Sequence, residues 1–527
     1  MMKLNFSRVM RMLALRHGDK EALVNIERNR RYSFTEYHLL TNRIANALRT
    51  TLGVGKGDKF MMILENDNLG LLQFPTIFKQ EGTGAFTNLR DSLEEHSWQV
   101  AYVKPKVVFI ENSLLDTYHG MLRGQGCTVV VMDPLDGPVP EGVLQFWDVI
   151  NVASDEDNEV ALDQHEHTAI LRFTGGTTGR GKCAMYSVDN YMAARDSGYI
   201  NPGLGFDAQT RFLHVAPLSH GTVLGFYPTF FMGGTNITMN ALDLEAWSRV
   251  AESERVTHSF LVPTALYRLL ELQKASPRNF SSLRTVIYGA APMSPSRLDD
   301  LVKTFGPIFV QGYAATEAGM FVAILDKSDH RTDSERAIKR MSSAGRLTPG
   351  VEVFITDTDG NSLPTGQTGE IRIRCRAVIQ GYFGNPESTA AEFQDGAWKS
   401  GDLGYIDEDG FLYIVDRLKD MIISGGFNVY AVEVEAALAS HPAVLMSAVV
   451  GVPHVDWGEA VHAEVVLRPG ISVTADELIE HVKSHLGSYK APKTVSFVEN
   501  LPLSVVGKVL RRHVRDKYWR AAERQVG

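Results

Sequence analysis

The chain has 527 residues, 44% of them hydrophobic and 22% charged, which is ordinary for a globular protein and too long for a single core. Its net charge of −9 excludes a global basic field that would recruit nucleic acid or acidic lipid. Three distant cysteines argue against a disulfide framework and favour a reducing, cytoplasmic location, and no apolar run approaches the ~20 residues that span a bilayer.

The N-terminal segment places Lys3, Arg8, Arg11 and Arg16 among Val, Met and Leu. This pattern fits a short transit peptide or a basic amphipathic helix, but the first helix of the fold is favoured because patterned structure follows at once. A capping box at residues 33–36 then starts the next helix.

Short apolar runs alternate with helical stretches up to about residue 345, which is typical of α/β architecture with largely parallel sheets. The runs are 60–64, 107–110, 128–132, 169–173, 212–216, 260–262, 285–288 and 308–310. We therefore predict a large N-terminal domain of parallel α/β sheets, residues 1–416.

From about residue 345 the pattern changes to alternating strands separated by Gly and Asp-Gly turns. This predicts a small β-rich subdomain at about 345–416 that closes the large domain. After residue 416, a mixed pattern of helices and strands with a second capping box at residues 474–477 predicts a small α+β C-terminal domain, residues 417–527.

One loop carries the clearest chemistry. Residues 171–183 read LRFTGGTTGRGKC, so four glycines, three threonines, an arginine and a lysine fall within ten residues. Glycines let backbone N–H groups turn towards an anion, threonines add hydroxyl donors, and the cations neutralise charge. The loop is therefore predicted to bind phosphates, although a surface turn without a ligand is the plainer alternative.

The same loop is one residue away from the P-loop pattern G-x-x-x-x-G-K-[ST]. Cys183 stands where that pattern needs a hydroxyl for Mg²⁺, and a cysteine sulfur is a poor ligand for this hard cation. A kinase or ATPase of the P-loop type is therefore disfavoured.

Four further stretches add to this loop, namely YGAAP at 288–292, QGYAATE at 311–317, SGD at 400–402 with DRLKD at 416–420, and PLSVVGK at 502–508. Singly, each has an ordinary explanation as packing residues, a turn or a solvated lysine. Their occurrence together in this order is far more specific for one kind of protein than any single stretch. Together they resemble the acyl-adenylate-forming superfamily, which contains acyl-CoA synthetases, luciferases and peptide-synthetase adenylation domains, over nearly the whole chain.

The resemblance implies a two-step reaction. A carboxylate attacks the α-phosphorus of ATP to give an acyl-adenylate and pyrophosphate, and a thiol then displaces AMP to give a thioester. Attack by one anion on another requires that charge be neutralised in the transition state. The implied cofactors and co-substrates are ATP, Mg²⁺ and coenzyme A.

The resemblance also implies roles for individual residues. The ATP-binding residues are Thr174, Gly175, Gly176, Thr177, Thr178, Gly179 and Lys182 around the β- and γ-phosphates, and Gly289, Ala290, Ala291, Pro292, Gln311, Gly312 and Tyr313 on the adenine side. The residues expected at the reacting groups are Thr316 at the α-phosphate, Glu317 as the metal ligand, Asp402 at the ribose hydroxyls with Arg417 supporting it, and Lys508 at the carboxylate and α-phosphate oxygens.

A single catalytic lysine on a small C-terminal domain implies that this domain is mobile. In the family it rotates about a hinge that aligns here with Lys419. Rotation would withdraw Lys508 and bring up a thiol tunnel, for which the implied CoA-binding residues are Ser424, Gly425, Gly426 and Trp457. Trp457 is equally well explained as a packed surface aromatic.

The loop departs from the family pattern at several positions. Gly175 replaces Ser and removes one phosphate donor, while Gly181 for Pro and Cys183 for Gly should loosen the loop. Ala314 and Ala431 also differ from the usual residues. None of these changes removes a charged catalytic group, so activity is expected to survive.

The acyl pocket is expected near PLSHG at 217–221. Relatives that activate amino acids place an aspartate there to pair with the substrate ammonium, whereas this chain offers His220 and no acid. That disfavours amino acids and favours an uncharged fatty (medium- or long-chain), aromatic or cyclic acid. His220 is expected at the reaction centre as a gate or pocket wall. The predicted pocket residues are His220, Gly221, Leu224, Val262, Gly289, Gly312 and Ala314.

Three interpretations follow from the sequence. The favoured one is an acyl-CoA synthetase acting on a small-molecule carboxylic acid, with no nucleic-acid partner. The others are an acyl-AMP ligase that loads a carrier-protein thiol and a non-catalytic nucleotide-binding homologue. The sequence leaves open whether the chain forms a homodimer.

Overall fold

The structure of the protein is a computed structural model that describes residues 3–174, 181–291, 293–424, 427–455, 457–503 and 509–525. The helices of the described residues are α1 (Phe6–His17), α2 (Phe34–Thr50), α3 (Asn66–Phe78), α4 (Leu93–Val103), α5 (Leu115–Gly124), α6 (Phe146–Asn151), α7 (Val188–Ile200), α8 (Val223–Phe231), α9 (Leu244–Ser253), α10 (Pro263–Ala275), α11 (Pro295–Phe305), α12 (Glu335–Met341), α13 (Pro386–Glu392), α14 (Ala431–Ser440), α15 (Ala475–Leu486) and α16 (Arg511–Gln525).

The strands of the described residues are β1 (Lys3–Leu4), β2 (Glu21–Asn25), β3 (Arg30–Ser33), β4 (Lys59–Ile63), β5 (Thr83–Phe86), β6 (Val107–Ile110), β7 (Thr128–Val131), β8 (Val143–Gln145), β9 (Leu162–Asp163), β10 (Thr168–Phe173), β11 (Cys183–Ser187), β12 (Arg211–His214), β13 (Thr235–Thr238), β14 (His258–Leu261), β15 (Thr285–Gly289), β16 (Phe309–Ala314), β17 (Phe321–Leu325), β18 (Gly345–Leu347), β19 (Glu352–Thr356), β20 (Gly369–Arg374), β21 (Gly381–Tyr382), β22 (Phe393–Gln394), β23 (Ala397–Ile406), β24 (Phe411–Arg417), β25 (Ile422–Ser424), β26 (Phe427–Val429), β27 (Val444–His454), β28 (Gly458–Leu467) and β29 (Thr494–Phe497).

The first sheet has the strand order β21-β11-β10-β5-β4-β6-β7-β8. It is parallel from β10 to β8 and antiparallel where β11 pairs with β10 and β21. Alternate residues of β4 pack into different core clusters, Phe60 and Met62 into one and Met61 and Ile63 into another. Burial on both faces explains why this strand is a continuous apolar run in the sequence.

The second sheet has the order β19-β20-β23-β24-β18-β17-β16-β15-β14-β12-β13-β2-β3. Its centre is parallel from β2 to β16. The pairing becomes antiparallel at β17, and β18 then pairs with both β17 and β24. The β-rich region predicted after residue 345 is thus an antiparallel continuation of this sheet.

The C-terminal sheet has the order β26-β25-β28-β27, with β29 alongside β28. Its apolar residues form a separate core cluster with α14 and α15, which includes Ile422, Val434, Val461 and Leu478. The chain leaves the second sheet at the end of β24 and enters this one at β25. A domain boundary at 416/417 stays a prediction, although it falls at this crossover.

The sequence patterns for helix starts are confirmed. Ser33 caps α2 and Thr474 caps α15, each in a complete capping box with the glutamate three residues later. The N-terminal basic segment forms α1, and Phe6 and Met10 on this helix are buried in a core cluster. Within the described residues, no helix has both the length and the apolarity needed to cross a bilayer.

The cap of α15 provides a test of the C-terminal core. Thr474→Ala removes the side chain that accepts a hydrogen bond from the Glu477 N–H, 3.2 Å away. We expect it to lower the free energy of unfolding by about 1 kcal/mol, measured by urea denaturation followed by circular dichroism. Ser472→Ala, at an exposed position before the cap, should have little effect. Equal losses in the two variants would contradict this explanation.

Candidate active site

Two of the sequence motifs meet at the carboxyl ends of adjacent strands in the second sheet. Strands β15 and β16 run parallel, with Tyr288 opposite Gln311 and Gly289 opposite Gly312. A Cβ added to Gly289 would lie 2.4 Å from the Gly312 carbonyl oxygen, so close packing between the strands already requires this glycine. The carboxyl ends of parallel strands are a common place for ligands in α/β proteins.

The backbone turns sharply just after β15. Ala290 has a φ of 65°, a left-handed conformation that costs a residue with a Cβ roughly 1–2 kcal/mol. Ala290 is exposed and Ala291 is half-buried. Such strain is kept where the surrounding structure fixes the backbone, which is frequent at ligand sites. The next residue, Pro292, lies outside the described residues.

Three side chains predicted to hold the nucleoside are brought together. The Tyr313 hydroxyl donates to Asp402 Oδ2 at 2.6 Å, and Arg417 Nε lies 3.5 Å from Asp402 Oδ1. Asp402 and Arg417 face each other across the β23–β24 pair. Burial, together with the Asp402 charge, raises the pKa of Tyr313 well above its usual value, so this hydroxyl stays protonated and donates.

The base of the glycine-threonine loop is fixed by the β10–β11 hairpin. The Thr174 N–H donates to the Lys182 carbonyl at 2.8 Å, and Lys182 N–H donates to the Thr174 hydroxyl at 3.3 Å. Cys183, whose expected effect on the loop stays a prediction, is the first residue of β11 and pairs with Phe173. It is buried, and burial raises the pKa of its thiol to about 12.

The predicted loop residues Gly175, Gly176, Thr177, Thr178 and Gly179 lie outside the described residues. The same holds for Gly425, Gly426 and the predicted catalytic residue Lys508.

The Lys182 ammonium is paired with a residue that the sequence did not reveal. It contacts the carboxylate of Glu392 at the end of α13, and its Nζ lies 4.7 Å from the centre of the Tyr382 ring. The Tyr382 hydroxyl lies between two carboxylates, 2.7 Å from Glu392 and 3.1 Å from Glu317. Lys182, predicted at the β- and γ-phosphates, and Glu317, predicted as the metal ligand, therefore belong to one connected cluster.

The two carboxylates of this cluster differ in their electrostatics. Burial raises the pKa of Glu317. Burial also acts to raise the pKa of Glu392, but the hydrogen bonds from Lys182 and Tyr382 outweigh it and hold that pKa below its ordinary value. Glu392 is thus a stable anion beside Lys182, whereas Glu317 is a carboxylate that a nearby cation would stabilise.

A second tyrosine joins the two large sheets at the same place. The Tyr186 hydroxyl, from β11 of the first sheet, donates to the Thr316 carbonyl just beyond β16 of the second sheet. The Ile379 N–H donates to the Glu317 carbonyl at 3.0 Å. These contacts fix Thr316 and Glu317 against the hairpin that carries Lys182.

The predicted acyl pocket residues have different environments. Ser219 and His220 lie in the turn before α8, with the Ser219 hydroxyl 3.0 Å from His220 Nδ1. Burial lowers the pKa of His220 to about 4, and the positive charge of Arg172 adds to this effect. A histidine with that pKa is a poor proton acceptor at neutral pH, which agrees with a role as a pocket wall.

A Cβ added to Gly221 would meet no atom within 4 Å among the described residues, so the space beside His220 is open there. Leu224 and Val262 are instead buried in core clusters of the second sheet, while Ala314 is exposed at the end of β16.

Of the residues predicted to bind CoA, the described ones, Ser424 and Trp457, lie in or next to strands of the C-terminal sheet. Ser424 pairs with Gly458, which directly follows Trp457. The Trp457 ring is 40% exposed and stacks on the His454 ring at 4.3 Å between centroids, while Lys493 Nζ lies 5.4 Å from its centre. Trp457 thus packs against its neighbours and also presents an aromatic surface, while its role at CoA stays a prediction.

The predicted hinge residue Lys419 is exposed in the turn after β24. Nearby, the buried carboxylate of Asp416 accepts a hydrogen bond from the Ala431 N–H at 2.6 Å, and Arg511 Nη1 lies 3.5 Å from it. Arg511 is also paired with Glu435. Burial raises the pKa of Asp416 to about 6.

The residues present fit a magnesium ion whose coordination shell is completed by the phosphates of a nucleotide. Among the described residues, no group of three or more His, Cys, Asp or Glu side chains could hold a metal ion. Mg²⁺ is commonly held by one or two carboxylates, substrate phosphates and water. Glu317 supplies one such carboxylate, in a buried position where a cation would offset the cost of its charge.

Comparison with known proteins identifies the family. The family description "AMP-binding enzyme" matches residues 11–383, and "AMP-binding enzyme C-terminal domain" matches residues 433–508. The chain belongs to the AMP-binding enzyme family. It is a ligase of the acyl-CoA synthetase branch, as the resemblance in the sequence had indicated.

Two curated relatives and one solved structure illustrate the match. The medium/long-chain-fatty-acid–CoA ligase FadD8 of Mycobacterium tuberculosis is 41% identical over 364 residues, which are 68% of this chain and 62% of that protein. A feruloyl-CoA synthase of Amycolatopsis sp. is 35% identical over 96% of both chains. ATP-bound MatB from Rhodopseudomonas palustris is 28% identical, with a TM-score of 0.85 over 98% of this chain and 99% of its own.

The Lys182–Glu392 pair generates a prediction. The predicted role of Lys182 at the β- and γ-phosphates implies that phosphate oxygens compete with Glu392 for this ammonium. Glu392→Gln should therefore bind ATP about 2- to 5-fold more tightly, because a partly exposed ion pair that must be broken is worth up to about 1 kcal/mol. The dissociation constant can be measured by isothermal titration calorimetry.

Glu387→Gln, an exposed glutamate on the same helix α13, removes the same charge and should leave ATP affinity unchanged. Weaker ATP binding by Glu392→Gln would show that Glu392 assists the nucleotide instead of competing with it.

Proposed function

We propose that this ligase activates a carboxylic acid with ATP and transfers the acyl group to coenzyme A. The acid and ATP give acyl-AMP and pyrophosphate, and CoA then gives acyl-CoA and AMP. The observation that carries the proposal is the convergence of three groups, namely the Lys182 hairpin, the Thr316–Glu317 segment, and the Tyr313–Asp402–Arg417 contacts. This convergence provides a phosphate-binding end and a nucleoside-binding end on either side of a reaction centre.

The first step needs the triphosphate to be held while charge builds up on the α-phosphate. In this proposal Lys182 and the loop Thr174–Gly179 hold the β- and γ-phosphates of the leaving pyrophosphate. Thr316 lies at the α-phosphate, where its backbone is fixed by Tyr186. Lys508 approaches from the C-terminal domain and stabilises the attacking carboxylate and the α-phosphate oxygens.

The nucleoside is held from the other end of the site. Asp402 accepts hydrogen bonds from the ribose hydroxyls, and Arg417, 3.5 Å away, orients its carboxylate. Adenine lies along Gly289–Ala291 and Tyr313, with Gln311 and Gly312 beneath it. The hydrogen bond from Tyr313 to Asp402 supports this arrangement, since it links a residue proposed at the adenine to the residue proposed at the ribose.

The metal ion belongs in this proposal at Glu317. When bound, Mg²⁺ supplies charge neutralisation to the phosphate oxygens. The protein's part is to keep Glu317 ionised and oriented, and the Tyr382 hydroxyl serves this purpose from 3.1 Å.

For the second step, the C-terminal domain rotates about Lys419 and brings Ser424, Gly425 and Gly426 to form the thiol passage, with Trp457 at the CoA adenine. Large apolar side chains exposed beside Ser424 support such a closing face. Ile423 is 52% exposed and Phe427 62% exposed, and Phe427 packs against Tyr489 with 5.5 Å between ring centroids.

The acid is proposed to have an apolar body, either fatty, aromatic or cyclic, in contact with the His220–Gly221 turn. The absence of an acidic partner at this turn disfavours a substrate ammonium, which would be costly to bury unpaired. The acids named for the two relatives, fatty acids and ferulate, lie within this range.

The test is a panel of fatty, aromatic and cyclic acids, assayed for pyrophosphate release with and without CoA. We expect acid-dependent release of pyrophosphate and a matching loss of free CoA thiol. Pyrophosphate release without thiol consumption would point to a carrier-protein acceptor. No acid-dependent release with any member of the panel would contradict the proposed function.

Lys508→Ala gives a sharper test of the first step. Loss of a donor that stabilises transition-state charge typically costs about 100-fold or more in rate, so acid-dependent pyrophosphate release should fall by that factor. Thioester formation from CoA and synthetic acyl-AMP should remain within a few-fold of wild type, because adenylation is bypassed. Unchanged pyrophosphate release would remove Lys508 from the mechanism.

The proposed metal role of Glu317 predicts a pH dependence. Since burial raises its pKa, protons compete with Mg²⁺ at a higher pH than they would for an exposed glutamate. The Mg²⁺ concentration for half-maximal rate should therefore rise as the pH falls from neutral to mildly acidic values. Glu317→Gln should need more Mg²⁺ and lose this added pH dependence. Protonation of ATP itself affects wild type and variant equally, so the difference between them reports on Glu317.

A further inference from the structure

A buried cation near the acyl pocket has no role in the proposed mechanism. Arg172 lies on β10, two residues before Thr174, and is 7% exposed. Neighbouring Ile170 on the same strand face packs into the largest core cluster, so this arginine points towards apolar surroundings. Burying a charge without a partner costs several kcal/mol or more, and the position therefore needs an explanation.

The surroundings of Arg172 are aromatic. Its guanidinium carbon lies 5.1 Å from the centre of the Tyr186 ring and 6.0 Å from that of Phe86, and Nη2 donates to the Tyr191 hydroxyl at 3.1 Å. These contacts offset part of the cost. Among the described residues, no carboxylate forms an ion pair with Arg172, and its buried Nε has no hydrogen-bond partner.

The position of this cation relates it to the reacting groups. Tyr186 lies between Arg172 and the reaction centre, because its ring contacts the guanidinium while its hydroxyl bonds to the Thr316 carbonyl. On another side, the charge of Arg172 acts on His220 at the acyl pocket. The guanidinium is thus about one tyrosine ring away from Thr316 and also close enough to His220 for its charge to act there.

We infer that Arg172 binds a second carboxylate at the far end of the acyl substrate, so that the preferred acid is a dicarboxylate with an apolar middle. This inference rests on the proposed function and narrows its substrate class. A carboxylate would supply the missing counter-charge and accept from the free Nε–H, in the geometry that arginine suits best. The reacting carboxylate would lie at Thr316, one tyrosine ring nearer the nucleotide.

The experiment compares matched pairs of acids in the full-length enzyme with ATP, Mg²⁺ and CoA. The pairs are octanoate with octanedioate, dodecanoate with dodecanedioate, and cinnamate with its para-carboxy derivative. In wild type we expect a higher kcat/KM for the diacid in at least one pair. Arg172→Gln should lower kcat/KM for that diacid by about 30-fold or more, with the monoacid changed only a few-fold.

Two further variants distinguish loss of diacid recognition from a general effect of altering a buried arginine on folding. Arg172→Lys keeps the charge and should retain part of the diacid preference. Arg297→Gln alters another buried arginine, one that lies over the Tyr267 ring and near the Glu271 carboxylate, and should affect the mono- and diacid of each pair alike. If Arg172→Gln fails to fold, the wild-type ratio and the Arg172→Lys ratio still decide the question.

The outcomes are distinct. Turnover of monoacids with CoA but no diacid preference in wild type would overturn the inference alone, as would an equal loss on both acids in Arg172→Gln. Absence of acid-dependent pyrophosphate release with every acid would overturn the proposed function, and the inference with it.

Discussion

The active site exists because two separate sheets are held in a fixed relation at one point. The phosphate-binding hairpin belongs to the first sheet, whereas the strand ends that carry Thr316, Tyr313 and Asp402 belong to the second. Tyr186 and Tyr382, both from the first sheet, reach across to Thr316 and Glu317. These two phenol groups therefore join the hairpin predicted to bind phosphates to the residues predicted at the α-phosphate and the metal ion.

The charged groups of this site are already paired before any nucleotide arrives. Lys182 contacts Glu392, and Asp402 contacts Tyr313 and Arg417. Pairing limits the cost of holding charge in partly buried positions, and it also orients each group. In the proposed function, nucleotide binding at Lys182 is an exchange of partners, in which phosphate oxygens replace the Glu392 carboxylate.

Much of the fold and of the candidate site could be predicted from the sequence, because these features are determined by residues close together along the chain. The two capping boxes and the doubly buried strands follow from short patterns, and the YGAAP and QGYAATE segments both end strands that turned out to be neighbours. Glu392 and Tyr382 were missed because each is an ordinary residue in its own segment. They gain a role only when α13 and β21 fold against β11, and no spacing in the sequence records that contact.

The electrostatic environment of Arg172 is a second feature that could not be predicted from the sequence. The lack of an acidic residue near His220 suggested an uncharged acyl tail, an argument that considered only one turn of the chain. The cation that acts on this histidine comes from the strand before the phosphate loop, about fifty residues earlier in the sequence. Its significance depends on burial and on missing partners, and neither is visible in a one-dimensional pattern. Cys183 is a similar case, since the loop pattern gave no sign that it begins a buried strand.

The buried carboxylate of Asp416 has a consequence for the proposed rotation. It holds the Ala431 N–H and Arg511, and Arg511 begins α16 three residues after Lys508. A rotation at Lys419 leaves Asp416 with the large domain and carries Ala431 and Arg511 away, so both contacts must break together. In the proposed mechanism, the C-terminal domain therefore leaves this position only when one buried carboxylate gives up both of its partners.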